Sequence, residues 1–191
     1  GNNFDNEFIY RYTEKAYEYM QNDNCTNVSI PYETILVKYD ESTYYQNIDA
    51  KKFKDFIRSF YVKSIATNYN MFKKSSFYCG IIDEPDDREI YEQTVLVIKT
   101  FKKAVKEVAD ELETTGYLSN PLHEELINDI RELKNIVTCT YTDIYKDLID
   151  CWCPKANFYN TEEQRANYAS QKEKWWYTCV LPRAPYPTYH I

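Results

Sequence analysis

The residues of this sequence that most directly offer chemistry are its six cysteines. Three lie close together and three are spread along the chain: Cys139, Cys151 and Cys153, and Cys25, Cys79 and Cys179. Cysteines in such numbers form structural disulfides, bind zinc or carry out redox exchange. Zinc binding and redox exchange are disfavoured because Cys151 and Cys153 form a C-x-C rather than a C-x-x-C pair, with no second close pair elsewhere. We therefore predict three disulfides, no bound metal and no cofactor.

Catalytic residues have few candidates. The sequence contains two histidines, and no glycine-rich phosphate loop, HExxH or GxSxG motif is present. His123 follows Pro121 at the start of a predicted helix, and we interpret it as a surface residue there. The acidic pairs at 86–87, 124–125 and 162–163 all fall in first turns of predicted helices, where they meet the helix dipole favourably. We predict no catalytic residue, so an enzyme would need a site assembled from distant positions.

Aromatic residues form the third group with binding chemistry. The chain has 20 Tyr, 9 Phe and 3 Trp. An aromatic cage for a cation or a lipid could be built from one cluster of them: Trp152, Trp175, Trp176 and Tyr177. The alternative is that these rings only fill the space between packed helices. Tyrosine-rich surfaces also suit protein recognition, because tyrosine offers a large contact area at low entropic cost.

Charge and hydropathy exclude several partner classes. The formal net charge of −7 argues against nucleic acid and anionic membrane surfaces, which need a concentrated basic face. No apolar run approaches the roughly 20 residues that span a bilayer. Two glycosylation sequons begin at Asn24 and Asn27 and, with the cysteines, predict a secreted, extracellular glycoprotein. The chain starts at Gly1 without an initiator Met, so we expect a mature chain whose leader was removed.

The elements that must position these residues are predicted to be helical. Glycine is scarce, at 3 residues, and apolar residues recur at spacings of three and four. About five helices result, over roughly 5–22, 49–72, 86–115, 122–151 and 161–179. Asp49 begins the second helix, and Gly116 follows the third in the position after its last turn. We predict an all-α fold, a disulfide-stapled antiparallel bundle. It would form a single domain over residues 1–179, with halves near 1–80 and 86–179, followed by a proline-rich extended tail over 180–191.

The predicted fourth helix restricts how the cysteines pair. At about 1.5 Å per residue, Cys139 and Cys151 lie roughly 18 Å apart on a continuous helix, too far for a disulfide. The side chains of Cys151 and Cys153 diverge around the helix. Each of these three would therefore pair with a different one of the remaining cysteines, and the choice among those connectivities stays open. The helix would be a spine stapled to three other parts of the chain.

The spacing Cys139-x5-Tyr145-x5-Cys151 resembles the cysteine-tyrosine-cysteine motif of the BICYCLE family, which are secreted salivary-gland effectors of gall-forming aphids. The spacing Tyr19-x5-Cys25 repeats the second half of that motif, although no cysteine precedes it at the matching distance. The resemblance covers about 13 residues, together with the low glycine and high tyrosine content. It implies an effector delivered in saliva into a host, without known enzymatic activity, and it marks Tyr145 as the motif tyrosine.

Together these observations predict a non-enzymatic effector that alters host physiology by binding an unknown host protein. The alternative is a salivary carrier that holds a small ligand in an aromatic pocket.

Overall fold

The computed structural model describes residues 6–22, 25–31, 35, 48–78, 88–139, 141–153, 162–169 and 173–174. Within them, helices alternate with short strands in the order α1 Asn6–Gln21, β1 Val28–Pro31, α2 Lys51–Thr67, β2 Ser75–Tyr78, α3 Arg88–Thr115, α4 His123–Arg131, β3 Lys134–Val137, β4 Cys151–Trp152, α5 Glu162–Ala169 and β5 Glu173–Lys174. Two short 3₁₀ helices, Met71–Lys74 and Asp143–Tyr145, precede β2 and β4. The prediction of an all-α bundle is therefore wrong, and the fold is α/β.

The five strands form one parallel sheet in sequential order, β1-β2-β3-β4-β5. Ile30, Phe77 and Asn135 are in register across β1, β2 and β3, and Ile136 pairs with Cys151 across β3 and β4. Parallel neighbours need a connection that returns the chain to the same end of the sheet. The helices α2, α3, α4 and α5 lie in these connections. The helices also pack on one another, α1 on α2, α2 on α3 and α3 on α4, but the parallel sheet makes the fold α/β rather than a helical bundle.

The helices α1 to α4 pack on one face of the sheet. The main apolar core combines buried residues of these four helices with the strand residues Ile30, Phe77, Val137 and Trp152. Because side chains alternate along a strand, these four residues share one face of the sheet. Ile136 belongs to a separate small cluster with Cys151 and Cys153. Progression in one direction along a parallel sheet places successive connections on one side, which accounts for this one-sided core.

The first three predicted helices are confirmed as helices. Asp49 Oδ1 accepts a hydrogen bond from the N–H of Lys51, the first residue of α2, at 2.8 Å. The helix ends at Thr67 rather than near residue 72, because Asn68 adopts a left-handed conformation with φ 51° and its N–H bonds to carbonyls in the last turn. The helix α3 ends at Thr115, immediately before Gly116, as predicted.

The predicted long fourth helix is wrong. The helix α4 ends at Arg131, and the chain continues as β3 and β4. Ile136, Val137 and Thr138 are β-branched residues that favour strands. In a sequence, a buried parallel strand is a continuous run of apolar residues. Such a run also satisfies the spacing of an apolar helix side, so periodicity alone does not distinguish the two. Likewise, the last predicted helix stops at Ala169 and is followed by β5 instead of continuing to about residue 179.

Two side chains, those of Asn135 and Asp150, join the two ends of the connection from β3 to β4 by hydrogen bonds to each other's backbone N–H. Asn135 is fully buried; its Nδ2 donates to the Leu148 carbonyl at 3.0 Å and to Asp150 Oδ2 at 2.7 Å. The N–H of Asp150 donates to Asn135 Oδ1 at 3.2 Å, and the N–H of Asn135 donates to Asp150 Oδ2 at 3.0 Å. From α3, Lys102 forms an ion pair with Asp150 at 3.3 Å. Asn135 is the buried member of this pair and Asp150 is half-buried, and their mutual hydrogen bonds hold the connection in one conformation.

The predicted disulfide staple is also wrong. Cys25 and Cys153 are free thiols in the structure. Since the predicted connectivities all require three bridges among six cysteines, two free thiols exclude every one of them. Cys139 and Cys151 are buried, and Cys79 and Cys179 lie outside the described residues. The physical reason for the error is that the fourth helix, which was expected to carry Cys139, Cys151 and Cys153 as a continuous spine, does not form. The expectation of a disulfide-rich, α-helical protein is therefore wrong, and disulfides give no support for secretion.

Candidate binding cleft

The turn between α3 and α4 is held by hydrogen bonds within itself. We call residues 116–122 the α3–α4 loop. Within it, the N–H of Asn120 donates to the Tyr117 carbonyl at 2.9 Å, and the Asn120 carbonyl accepts from the N–H of His123 at 3.0 Å. The Asn120 side chain adds an Asx-type turn, because its Oδ1 accepts from the N–H of Leu122 at 2.9 Å. The loop backbone is therefore fixed before any partner arrives.

A buried tyrosine of α2 anchors this loop. Tyr61 is 1% exposed. Its hydroxyl accepts from the N–H of Tyr117 at 2.8 Å and lies 2.7 Å from Nδ1 of His123. The Tyr61 ring stacks on the ring of Tyr117 with centroids 6.1 Å apart and meets the His123 ring edge-on at 6.0 Å. Burial raises the pKa of Tyr61 above its ordinary value of 10.0, so its hydroxyl is protonated at neutral pH.

Gly116 makes room for the Tyr61 hydroxyl. A Cβ at position 116 would lie 2.5 Å from the Tyr61 hydroxyl oxygen and 2.6 Å from the Leu112 carbonyl oxygen. The Gly116 N–H bonds to that same Leu112 carbonyl at 2.8 Å and so closes the last turn of α3. A glycine here is required by close approach, because neither the carbonyl nor the anchored hydroxyl can move away cheaply.

The helices that carry these residues are aligned by an arginine one turn before Tyr61. Arg58 of α2 binds Glu111 of α3 through two hydrogen bonds, from Nε at 3.0 Å and from Nη2 at 2.6 Å. The Arg58 guanidinium lowers the pKa of Glu111 below its ordinary value of 4.5, so this pair stays charged at neutral pH. Paired bonds of this kind fix geometry as well as adding energy.

A cleft of about 530 Å³ lies beside the α3–α4 loop. Its lining combines an apolar group, Leu118, Pro121 and Ile127, with the carboxylates of Glu113 and Glu124. Leu118 is 60% exposed, and the neighbouring Tyr117 is 53% exposed. Large apolar side chains on a rigid loop beside a concave surface are typical of binding sites.

The two carboxylates of the cleft differ in their surroundings. Arg131 donates to both oxygens of Glu113, at 3.1 and 2.9 Å, and also binds Asp110 at 3.1 Å. The Arg131 guanidinium lowers the pKa of Glu113 below its ordinary value of 4.5. Glu124 is exposed and has no ion-pair partner within the described part of the chain. Glu124 therefore offers the cleft a negative charge that is not neutralised by a neighbour.

The described cysteines and the motif tyrosine Tyr145 do not line this cleft. Tyr145 is fully buried in a 3₁₀ helix, where its ring meets Tyr91 edge-on with centroids 5.5 Å apart. Burial raises the pKa of the Cys153 thiol above its ordinary value of 9.0, which keeps it protonated and poorly reactive. Among the residues the structure describes, no three His, Cys, Asp or Glu side chains converge to hold a metal ion.

The predicted aromatic surface is reduced to one described residue. Trp152 is 1% exposed and packs against Tyr141, with centroids 5.0 Å apart, so it belongs to the core. The other three members of that group lie outside the described residues: Trp175, Trp176 and Tyr177. Asn24 also lies outside them, whereas Oδ1 of the sequon residue Asn27 accepts from Ser76 Oγ of β2 at 2.6 Å. The second histidine, His190, and the predicted tail over 180–191 are outside the described residues as well.

The residues that form the cleft were largely missed by sequence reasoning. His123 is 9% exposed and contacts α2, so its interpretation as a surface residue is wrong. In the sequence Tyr61 falls only on the apolar side of its predicted helix, and no local pattern links it to His123, which lies 62 positions further along the chain. The one available signal was Gly116, a rare glycine directly after a helix.

Comparisons of the chain with family models, with curated proteins and with solved structures give no match. None of the described helices combines the length and the apolar character needed to cross a membrane.

Proposed function

We propose that this chain is a non-catalytic interaction protein that binds a segment of another protein at the cleft beside the α3–α4 loop. The segment carries an apolar side chain, which contacts Leu118, Pro121 and Ile127, and a Lys or Arg, which pairs with Glu124. The single observation that carries this proposal is the exposure of Tyr117 and Leu118 on a loop whose backbone is already fixed.

Exposure and rigidity together favour binding. Burying a large apolar side chain at an interface stabilises the complex by about 1.5–3 kcal/mol. A flexible loop would lose part of that gain through ordering on association. The hydrogen bonds of Asn120 and Tyr61 have already ordered the α3–α4 loop in the free protein. Most of the gain from Leu118 is therefore available as affinity.

The charge of the partner follows from the charge of the cleft. Glu124 is exposed at the rim, and the chain as a whole carries a formal charge of −7. Opposite charge on the partner raises the association rate and excludes acidic competitors. A cationic side chain placed next to an apolar one matches the neighbouring carboxylate and apolar group of the cleft. The further proposal that the partner is a host protein rests on the resemblance of the Cys139-Tyr145-Cys151 spacing alone.

Selection from a displayed random peptide library tests this proposal. We expect the protein to enrich peptides that contain Lys or Arg next to a large apolar residue. With one such peptide as the probe, Leu118→Ser should weaken binding by about tenfold or more, and Glu124→Gln by about threefold with reduced salt dependence. Leu96→Ser is the matched control, since Leu96 is an exposed leucine of α3 that does not line the cleft. Enriched peptides that bind the Leu118 variant as well as the native protein would refute the proposed surface.

A further inference from the structure

The Tyr61 hydroxyl has one hydrogen and two hydrogen-bonding partners, and this determines which ring nitrogen of His123 carries the proton. The N–H of Tyr117 can only donate, so the Tyr61 oxygen is its acceptor. The remaining bond, to Nδ1 of His123 at 2.7 Å, uses either the tyrosine hydrogen or a hydrogen on Nδ1. The structure gives the Tyr61 hydroxyl no other partner in the described part of the chain.

The two arrangements differ in cost. If Tyr61 donates to Nδ1, each of the three groups is satisfied. If Nδ1 donated instead, the hydroxyl hydrogen of a tyrosine that is 1% exposed would have no acceptor. An unsatisfied buried donor is unfavourable enough to shift the balance by about tenfold or more. The neutral imidazole therefore carries its hydrogen on Nε2.

Nε2 of His123 is available for a different contact from Nδ1, which is bonded to Tyr61. His123 lines the cleft, and within the described residues no hydrogen bond is formed by Nε2. The charged groups that line the cleft together with His123 are Glu113 on α3 and Glu124 on the first turn of α4. Two carboxylates disfavour an anionic ligand beside them. A neutral acceptor is the group that matches an N–H donor in this setting.

We infer that Tyr61 holds His123 as the Nε2–H tautomer, and that this N–H donates to a backbone carbonyl of the segment bound in the cleft. The second half rests on the proposed function, whereas the first half concerns the free protein. An extended or turned segment that places its apolar side chain against Leu118 exposes carbonyls of its own main chain. His123 is thus a specificity-determining residue, and Tyr61 is the residue that orients it.

The tautomer is read directly from long-range nitrogen–proton correlation spectra of the free protein at a pH where histidine is neutral. His190→Gln removes the signals of the second histidine and assigns those of His123. We expect the proton on Nε2 in the native protein, and a mixture of tautomers in Tyr61→Phe. A native spectrum with the proton on Nδ1 overturns the inference, whatever binds in the cleft.

The contact with the partner is measured with a peptide from the library selection described above. His123→Leu should weaken its binding by about tenfold, and His123→Gln, which keeps a side-chain N–H donor, should retain most of it. Replacing the amide of the contacted carbonyl by an ester should weaken binding to the native protein but not to His123→Leu. Equal binding by the native and His123→Leu proteins overturns the contact. A library that yields no peptide refutes the proposed function and this contact, but it leaves the tautomer measurement to stand or fall by itself.

Discussion

Replacing Tyr61 with phenylalanine is the sharpest test of the Tyr61–His123 contact as a structural element. The substitution keeps the aromatic ring, and with it the stacking on Tyr117, but removes the hydroxyl that joins α2 to the α3–α4 loop and to α4. No cavity larger than one oxygen atom is created. The loss of stability therefore reports on hydrogen bonding rather than on packing.

The magnitude follows from the two groups that lose their partner. Nδ1 of His123 lies in a buried contact, and an unsatisfied buried polar group costs about 1–3 kcal/mol. The N–H of Tyr117 is part-buried, so water replaces some of what it loses. We expect Tyr61→Phe to lower the free energy of unfolding by about 2 kcal/mol. For a chain of this length, that corresponds to a fall in Tm of about 4–8 °C.

Urea unfolding followed by circular dichroism, together with thermal unfolding, measures this loss. Tyr117→Phe is the control, because the same hydroxyl is removed from a tyrosine that is 53% exposed. We expect the control to stay within about 0.5 kcal/mol of the native protein. If Tyr61→Phe were as stable as the native protein, or if the control lost as much, the hydroxyl would not be the anchor of the loop.

Three further predictions concern other parts of the molecule. Asn135→Ala should lower the free energy of unfolding by about 2–4 kcal/mol in urea unfolding, since it removes the side-chain hydrogen bonds of a fully buried residue, whereas Asn128→Ala on an exposed site should be nearly neutral. Stability should fall as the pH drops below about 4.5, because Arg131 lowers the pKa of Glu113 in the folded state. Between pH 7 and pH 3, the urea midpoint of Arg131→Gln should fall by less than that of the native protein. Thiol labelling of the unreduced native protein should modify Cys25 quickly and Cys153 slowly, and both at once in denaturant; a failure of either thiol to react in denaturant would contradict the free-thiol assignment.

The low pKa of Glu113 in the folded state sets the direction in which stability changes with pH. A carboxyl whose pKa is lower in the folded state binds fewer protons there than in the unfolded chain. Its contribution to stability is complete above the unfolded value of 4.5 and is lost as the pH falls through the folded value. The exposed position of the clamp on α3 means that salt should weaken the effect. Identical pH profiles for the native protein and Arg131→Gln would show that the clamp does not contribute.

The candidate cleft illustrates what local reasoning can find. The end of α3 beside the loop could be foreseen, because Gly116 follows its last turn and this role depends only on neighbours in sequence. The partner of His123 could not be foreseen. Tyr61 lies on a different helix, and its hydroxyl meets His123 only when α2 and α4 pack together.

Local sequence patterns are enough to predict the helices α1, α2 and α3, the end of α3 at Gly116 and the position of Asp49 at the start of α2, where its Oδ1 accepts from the N–H of Lys51. These features depend on apolar periodicity and on hydrogen bonds between residues a few positions apart, and both are present in the local sequence. Contacts between residues distant in sequence determine that residues 134–137 and 151–152 are strands, that Cys25 and Cys153 are free thiols, and that His123 is buried. A parallel strand has no stability of its own, because its hydrogen bonds go to strands distant in sequence. Without the neighbouring strands, the apolar residues of 134–137 are equally compatible with a helix.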